Sequence, residues 1–435
     1  MICHMLTGTM SPEKLEDMRV PSTHAPVVIQ IPGSKSMTHR AFMLGAQTQS
    51  GCRILNPLLA EDTRATLACL EVLGMPHQRL GPDVVFPPVT TGLTHEGQPL
   101  DCKNSGTTLR LFLGQAARLQ SEVLLTGDAS LRTRPNHALL DALRDGGVRV
   151  KSSNGCAPVH VSGPIRSGCY RLNGQVSSQF ASSLLCALAM TKGDSTLSVL
   201  QPILSRPYLD MTVQMLQGFG YAVHPQSHSD GMHYSVSGCD PVSPLEWTVE
   251  GDWSTALFPT IAGLLTQTPV ELIGLSRDSV QGDRRWLDIV RAWGAECDWN
   301  RGRLRVRPGT RSGDQVVDLG ACPDLFPGLC VLAAFRHGKT LLHGAPQLRY
   351  KESDRIRAMV QGLRALSVDL EEREDGVLIH GGRPTGGRVD GVGDHRIYMA
   401  FSVMGLGTSG GIDVSGYGCE AVSYPDFHLD LDKFR

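Results

Sequence analysis

The sequence predicts an α/β protein built from six βαββαβ-like units of about 73 residues, and three observations predict it. First, an apolar-periodic helix closed by glycine recurs. LACLEVLG ends at Gly74, LLDALRDGG at Gly147, MTVQMLQGFG at Gly220 and LDIVRAWG at Gly294, evenly spaced along the chain. MVQGLRALS is a fifth copy with Ser367 in the glycine position, and DFHLDLDKF at the C-terminus is a sixth. Second, each unit carries an earlier helix that is apolar on most faces and so is predicted to be buried. These begin at Ser36, Ser105, Ser178, Ser254, Asp324 and His395, at nearly the same spacing. Third, β-branched or alternating stretches between the helices supply strands: VVIQI, EVLLTG, TLSVLQ, YSVSG, LRVRP, KTLLHG, VLIHG and IDVSG.

Taken in order, the chain first offers Ala25–Ile31 (APVVIQI) as a buried strand, which Pro32 and Gly33 break. Ser34 or Ser36 is placed to cap the helix that continues through Ala41–Ala46. The free N–H groups of such a first turn attract anions, and Lys35 adds a full positive charge. Ser36 and Arg40, spaced i and i+4, share a face on which a hydroxyl and a guanidinium can grip one phosphate or carboxylate. In the second unit, Asn104-Ser105-Gly106-Thr107-Thr108 opens the buried helix with a turn small enough for a ligand to approach the backbone amides. The outer helix there begins at Arg134-Pro135, and that of the third unit at Arg206-Pro207. Proline at a first helical position presents the residue before it beside the positive helix end, where two cationic features call for an anion. Ser177-Ser178-Gln179 brings hydroxyls and an amide to the third buried helix, and Ser205 and Tyr208 flank Arg206-Pro207.

In the second half, Asp324 starts the fifth buried helix and Glu352 lies in Lys351-Glu352-Ser353-Asp354-Arg355; together they form a possible acid/base pair. Lys351 and Arg355 share a helical face, while Glu352 points aside and becomes a proton donor if a dry pocket favours its neutral form. Asp394-His395-Arg396 precedes the apolar run IYMAFSVMGL, so the His–Arg pair must face something polar. Six independent caps account for polar residues at six helix starts, but not for Lys35, Arg40, Gln179, Asp324, His395 and Arg396 among them. Convergence of those ends on one charged site accounts for both.

At 435 residues the chain is long enough for two or three domains. With 41% hydrophobic and 19% charged residues it has the composition of an ordinary globular protein, and no run reaches the roughly 18 apolar residues of a membrane span. A net charge of −2 argues against non-specific nucleic-acid binding and leaves a local pocket for a small anion. The twelve cysteines show no CxxC pair and no zinc-site spacing, so reduced thiols, a cytoplasmic setting and no metal are expected. The segment 1–24, with Glu13, Glu16 and Asp17, reads as a loose leader and not as a secretory or transit signal.

These motifs, from PGSKSMTHR through NSGTTLR, GDASLRTRP, VSSQF, SRPYLDMT, CPDLFP, LRYKESDRI and GDHR to SYPDF, resemble the EPSP synthase family of enolpyruvyl transferases. The resemblance implies a two-lobed inside-out α/β barrel with three units per lobe. Residues 1–32 with 249–435 would form a discontinuous lobe and 33–248 the second. It implies transfer of the enolpyruvyl group of phosphoenolpyruvate to the 5-hydroxyl of shikimate 3-phosphate, by a monomer using no cofactor and binding neither nucleic acid nor membrane. Phosphoenolpyruvate contacts fall by motif on Lys35, Gly106, Arg134, Gln179, Arg355, His395 and Arg396. Those to shikimate 3-phosphate fall on Lys35, Ser36, Arg40, Ser177, Ser178, Gln179, Ser205, Asp324, Gln347 and Lys351. Asp324 resembles the acceptor of the hydroxyl proton, Glu352 the group handling the methylene proton, and Lys35 a further acid/base group. Glyphosate, by the same resemblance, occupies the phosphoenolpyruvate site.

Three positions depart from the family pattern: Lys103 replaces a common glycine, Val422 a lysine of some members, and Gln347 an asparagine. The nearest alternative is an enolpyruvyl transferase acting on a nucleotide or UDP-sugar. Absence of cysteine between Gly106 and Arg134 counts against the UDP-sugar branch, which usually carries a reactive one there. A non-catalytic anion-binding protein has no need of the two placed carboxylates.

Overall fold

The computed structural model describes residues 25–435 except Thr90, Val176, 240–244 and Thr310; the leader at 1–24 lies outside the described residues. Among the described residues five four-stranded sheets follow one plan, shown by the second unit. Leu100–Asp101 runs parallel to Val123–Thr126, which is antiparallel to Cys156–Ser162, which is antiparallel to Arg149–Ser153. A parallel pair needs a crossover, and helix is what supplies it. The order within a unit is therefore strand, buried helix, strand, outer helix and a two-strand hairpin, in place of the βαββαβ order read from the sequence. The sixth unit has a two-stranded sheet, Gly387–Asp390 parallel to Ile412–Ser415.

Twelve α-helices lie among the described residues. The buried ones are α1 (Lys35–Gly45), α3 (Gly106–Ala116), α5 (Ser178–Ala189), α7 (Trp253–Leu265), α9 (Phe326–Phe335) and α11 (His395–Met404). Each starts within two residues of its predicted start, counting the 3₁₀ turn Pro323–Leu325 that leads into α9. The outer ones are α2 (Glu61–Val72), α4 (His137–Asp145), α6 (Arg206–Gly218), α8 (Trp286–Ala292), α10 (Arg355–Ala365) and α12 (Phe427–Leu431). Gly74, Gly147, Gly220 and Gly294, which follow four of them, all take the positive φ that stops a helix. Ser367 does so too, at φ 62°.

The first strand of two sheets comes from far away in the chain. Val27–Gln30 pairs parallel with Val270–Ile273, whereas the sheet of the first unit receives Glu246–Thr248 beside Cys52–Leu55. The buried side chains fall into two hydrophobic clusters accordingly. One runs from Met37 to Val249; the other joins Ile29 and Ile31 to residues from Trp253 to Phe434. The two chain passages that link the clusters touch: Gly33 bridges Gly251, Ser34 N–H donates to the Glu250 carbonyl at 2.8 Å and Asp252 N–H to that of Pro32 at 2.9 Å. A side chain at position 33 would put its Cβ 2.1 Å from the Asn56 carbonyl oxygen, so the close approach requires glycine.

Candidate active site

The N-terminal ends of the buried helices meet at one cavity between the two clusters. Lys35 and Ser36 of α1, Thr107 and Arg110 of α3, Ser178 and Gln179 of α5, Asp252 before α7, Asp324 before α9, and His395 and Arg396 of α11 all line it. Pro135, Ser177, Ser205, Tyr208, Gln347, Tyr350, Lys351, Glu352 and Arg355 complete the wall. This is the convergence expected from the charged helix starts.

Capping places several of these groups. Asp394 accepts the Arg396 N–H at 2.9 Å, which fixes the first turn of α11 and aims Arg396 inward. Asp252 caps α7 through Thr255 N–H at 2.8 Å and also accepts Lys35 N–H at 3.0 Å, so one carboxylate ties the starts of α1 and α7 together. Neither Ser34 nor Ser36 caps α1 with its side chain, because Asp252 from the second passage already fills that place.

Arg355 is the hub. It donates Nε to Asp394 Oδ2 at 2.8 Å, Nη1 to Asp324 Oδ1 at 2.9 Å and Nη2 to Glu352 Oε2 at 2.7 Å. Arg396 reaches Asp324 Oδ2 at 3.1 Å and Lys351 reaches Asp324 Oδ1 at 3.5 Å. Burial pushes the Asp324 carboxyl up, but Arg396, Lys351 and Arg355 outweigh it and hold the group well below the usual carboxylate range. Burial likewise acts upward on Glu352, and Arg355, Arg134 and His395 overcome it. The expectation that a dry pocket favours neutral Glu352 is thus corrected: with guanidinium groups beside it, the carboxylate is the stable form. His395 is held well below its usual range by burial and by Lys35 and Arg396; its Nε2 finds no partner among the described residues. Lys35 Nζ pairs with Asp62 Oδ2 at 2.8 Å.

Not every expected residue faces the cavity. Arg40 is buried behind it, donating to Thr212 Oγ1 at 2.7 Å and to the Ser36 carbonyl at 2.8 Å, so it braces α1 instead of sharing a ligand with the Ser36 hydroxyl. Arg134 is also set back, bonded to Asn104 and Ser130, with Nη1 4.0 Å from Glu352 Oε1. Gly106 lies against it: a Cβ there would stand 3.2 Å from Arg134 Nη1. Arg206, which shares the Arg-Pro pattern, pairs with Asp210 at 3.4 Å in an exposed position and takes no part. Lys103 turns outward to Asp101 Oδ2 at 2.6 Å; its φ of 52° shows why glycine suits that position. Gln347 does line the cavity, with Nε2 3.4 Å from Ser205 Oγ.

Arg110, Asp62, Asp252 and Asp283 also stand at or behind the cavity, without a role assigned to them from the sequence. Arg110 had a signal, a lone charge inside the apolar run LRLFL, and it donates to Gln179 Oε1 at 2.6 Å. The three aspartates had none, since each looks like an ordinary residue at a helix start.

The sequence profile of the family described as EPSP synthase (3-phosphoshikimate 1-carboxyvinyltransferase) matches residues 22–431. The 3-phosphoshikimate 1-carboxyvinyltransferase of Methanocorpusculum labreanum is 38% identical over 93% of this chain and 95% of its own length, and that of Methanothermobacter thermautotrophicus is 39% identical over 92% and 93%. Among solved structures, EPSP synthase from Acinetobacter baumannii superposes with a TM-score of 0.75 at 28% identity, covering 93% of this chain and 95% of that one. The enolpyruvyl transferase NikO from Streptomyces tendae shares the fold at a TM-score of 0.73 and 18% identity, with 94% of each chain covered. With motifs, fold and charged cavity in agreement over nearly its whole length, the chain belongs to the EPSP synthase family.

Proposed function

We propose that this protein transfers the enolpyruvyl group of phosphoenolpyruvate to the 5-hydroxyl of shikimate 3-phosphate and releases phosphate, a step of the shikimate pathway. The observation that carries this reading is the pair Asp324 and Glu352, both bonded to Arg355 within one cationic cavity. A cavity serving only to hold anions gains nothing from two carboxylates in its wall.

In this reading Asp324, kept ionised by its three cations, accepts the proton of the 5-hydroxyl as that oxygen adds to the enol carbon. Lys35, Arg355 and Arg396 hold the phosphate and carboxylate of phosphoenolpyruvate and stabilise the tetrahedral intermediate and the departing phosphate, with Arg134 adding its charge from behind Glu352. Arrival of a multiply charged anion offsets the cations around Glu352 and raises its proton affinity, which suits it to carry the methylene proton. Lys35 is the second group within this chemistry. Ser36, Ser177, Ser178, Gln179, Ser205, Gln347 and Lys351 bind shikimate 3-phosphate, and Arg40 supports them through the backbone of Ser36.

The same reading divides the chain into a lobe of residues 1–32 with 249–435 and a lobe of 33–248. The two hydrophobic clusters and the Gly33–Gly251 bridge support that division. The test of function is phosphate release from phosphoenolpyruvate. It is expected to require shikimate 3-phosphate; release that ignores this acceptor would overturn the proposal.

A further inference from the structure

Behind Asp324 lies a second carboxylate that the reaction as described leaves unused. Asp283, in the 3₁₀ turn Gly282–Arg285, is buried, and its Oδ1 finds no partner among the described residues. Its Oδ2 takes a hydrogen bond from the Ser254 hydroxyl and lies 3.1 Å from Tyr208 Oη. The same Tyr208 Oη lies 3.2 Å from Asp324 Oδ2. One phenolic hydroxyl thus stands between two carboxyl groups, with one proton to give and one oxygen able to receive.

We infer that Asp283 is a positioning residue that stores the proton Asp324 takes from the substrate hydroxyl, reached through Tyr208. The inference rests on the functional reading above. Its chemistry balances. Asp324 removes the hydroxyl proton as the carbon–oxygen bond forms; the new Asp324 O–H then donates to Tyr208 Oη while the Tyr208 proton passes to Asp283 Oδ2. Asp324 is again a carboxylate, Tyr208 is unchanged and Asp283 is neutral. The reverse shifts return the proton, which leaves with phosphate.

The surroundings give the transfer its direction. Asp324 touches Arg355, Arg396 and Lys351 and so is a weak base. Around Asp283, by contrast, stand Asp324, Asp252, Tyr208 and Cys322, and Arg396 is the cation that faces it from α11. Burial and then Asp324 push the Asp283 carboxyl up to about 7. A buried oxygen without a partner is costly on a carboxylate and cheap as the carbonyl of a neutral acid, so the unpaired Oδ1 points the same way. A single proton shared by the pair therefore rests on Asp283.

For the store to be empty Asp283 must be ionised, so kcat/KM, which reports the unliganded enzyme, should rise with pH through about 7. Asp283→Asn keeps the shape and the bonds to Ser254 and Tyr208 but cannot take up a proton. It is expected to lower kcat about 100-fold, to leave the KM for shikimate 3-phosphate within about twofold, and to abolish that rise. Tyr208→Phe should do the same to kcat, since it cuts the path and leaves Asp283 in place. Infrared spectra of the unliganded protein give a readout independent of turnover. A carboxylic-acid carbonyl band should be present below neutral pH, fade above it and be missing in Asp283→Asn. Unchanged kcat and pH profile in Asp283→Asn, or no such band, overturns the inference and leaves the functional reading standing; absence of turnover in the unaltered enzyme overturns both.

Discussion

At Glu352 two opposing effects act on one carboxyl group. Burial favours the neutral form, while Arg355 at 2.7 Å and Arg134 at 4.0 Å favour the charged one, and the charges win. At these separations a unit charge acts with several kcal/mol in a partly desolvated site, enough to reverse a burial effect. Glu352→Gln preserves volume and hydrogen bonding but not proton exchange. It should lower kcat by about 100-fold or more and change shikimate 3-phosphate affinity by less than about threefold in titration calorimetry. Comparable losses in both would remove Glu352 from proton transfer. Glu352 was legible in the sequence through the dense charge run 351–355, and Asp324, His395 and Arg396 because they stand directly before apolar runs. Asp283 was not, because in QGDRR an acidic residue beside arginines reads as a solvated helix start, and only the fold brings Tyr208 and Asp324 to it.

The element that shapes the site most is α11. Its cap, Asp394, is fully buried and binds the Arg396 N–H, the Ser353 hydroxyl at 3.0 Å and Arg355 Nε at once. Asp394→Ala would remove the cap and leave the buried Arg355 with one fewer counter-charge. Breaking a buried pair of this type costs about 3–5 kcal/mol, so the urea midpoint should fall steeply. A midpoint within error of the unaltered protein would show that the Arg355 hub is not structural. At α3 the test is steric. Gly106→Ala places a methyl group 3.2 Å from Arg134 Nη1, whose guanidinium is already tied to Asn104 and Ser130. The variant should raise the KM for phosphoenolpyruvate about tenfold and weaken competitive inhibition by glyphosate at least as much. Lys103 points away from this turn, so the unaltered enzyme should be inhibited; equal inhibition of both proteins would place the ligand elsewhere. Helix starts were legible because serine, aspartate and glycine mark them chemically. Strand order was not, since the pairing of Val27–Gln30 with Val270–Ile273 depends on contacts between distant parts of the chain.

The described residues form two hydrophobic cores joined by two touching passages at Gly33 and Gly251, with the charged cavity between them. Lys35 and Arg110 line it from one side and Lys351, Arg355 and Arg396 from the other. Like charges facing each other across a cleft repel, and an anion between them reverses the sign. Scattering should therefore show a smaller radius of gyration when shikimate 3-phosphate and glyphosate are both bound; no compaction would argue against closure by charge. The six-unit plan was legible from the regular recurrence of its helix endings, whereas the exchange of first strands between sheets leaves no trace in that period, because either strand continues it equally well. The central claim is the identity of the acceptor, and a single competition measures it. Shikimate 3-phosphate, UMP and UDP-N-acetylglucosamine, supplied together in equal amounts with phosphoenolpyruvate and the enzyme, should yield one product by mass spectrometry, shikimate 3-phosphate bearing the enolpyruvyl group. Enolpyruvyl transfer to the nucleotide or the UDP-sugar, with shikimate 3-phosphate left unchanged, would contradict the account.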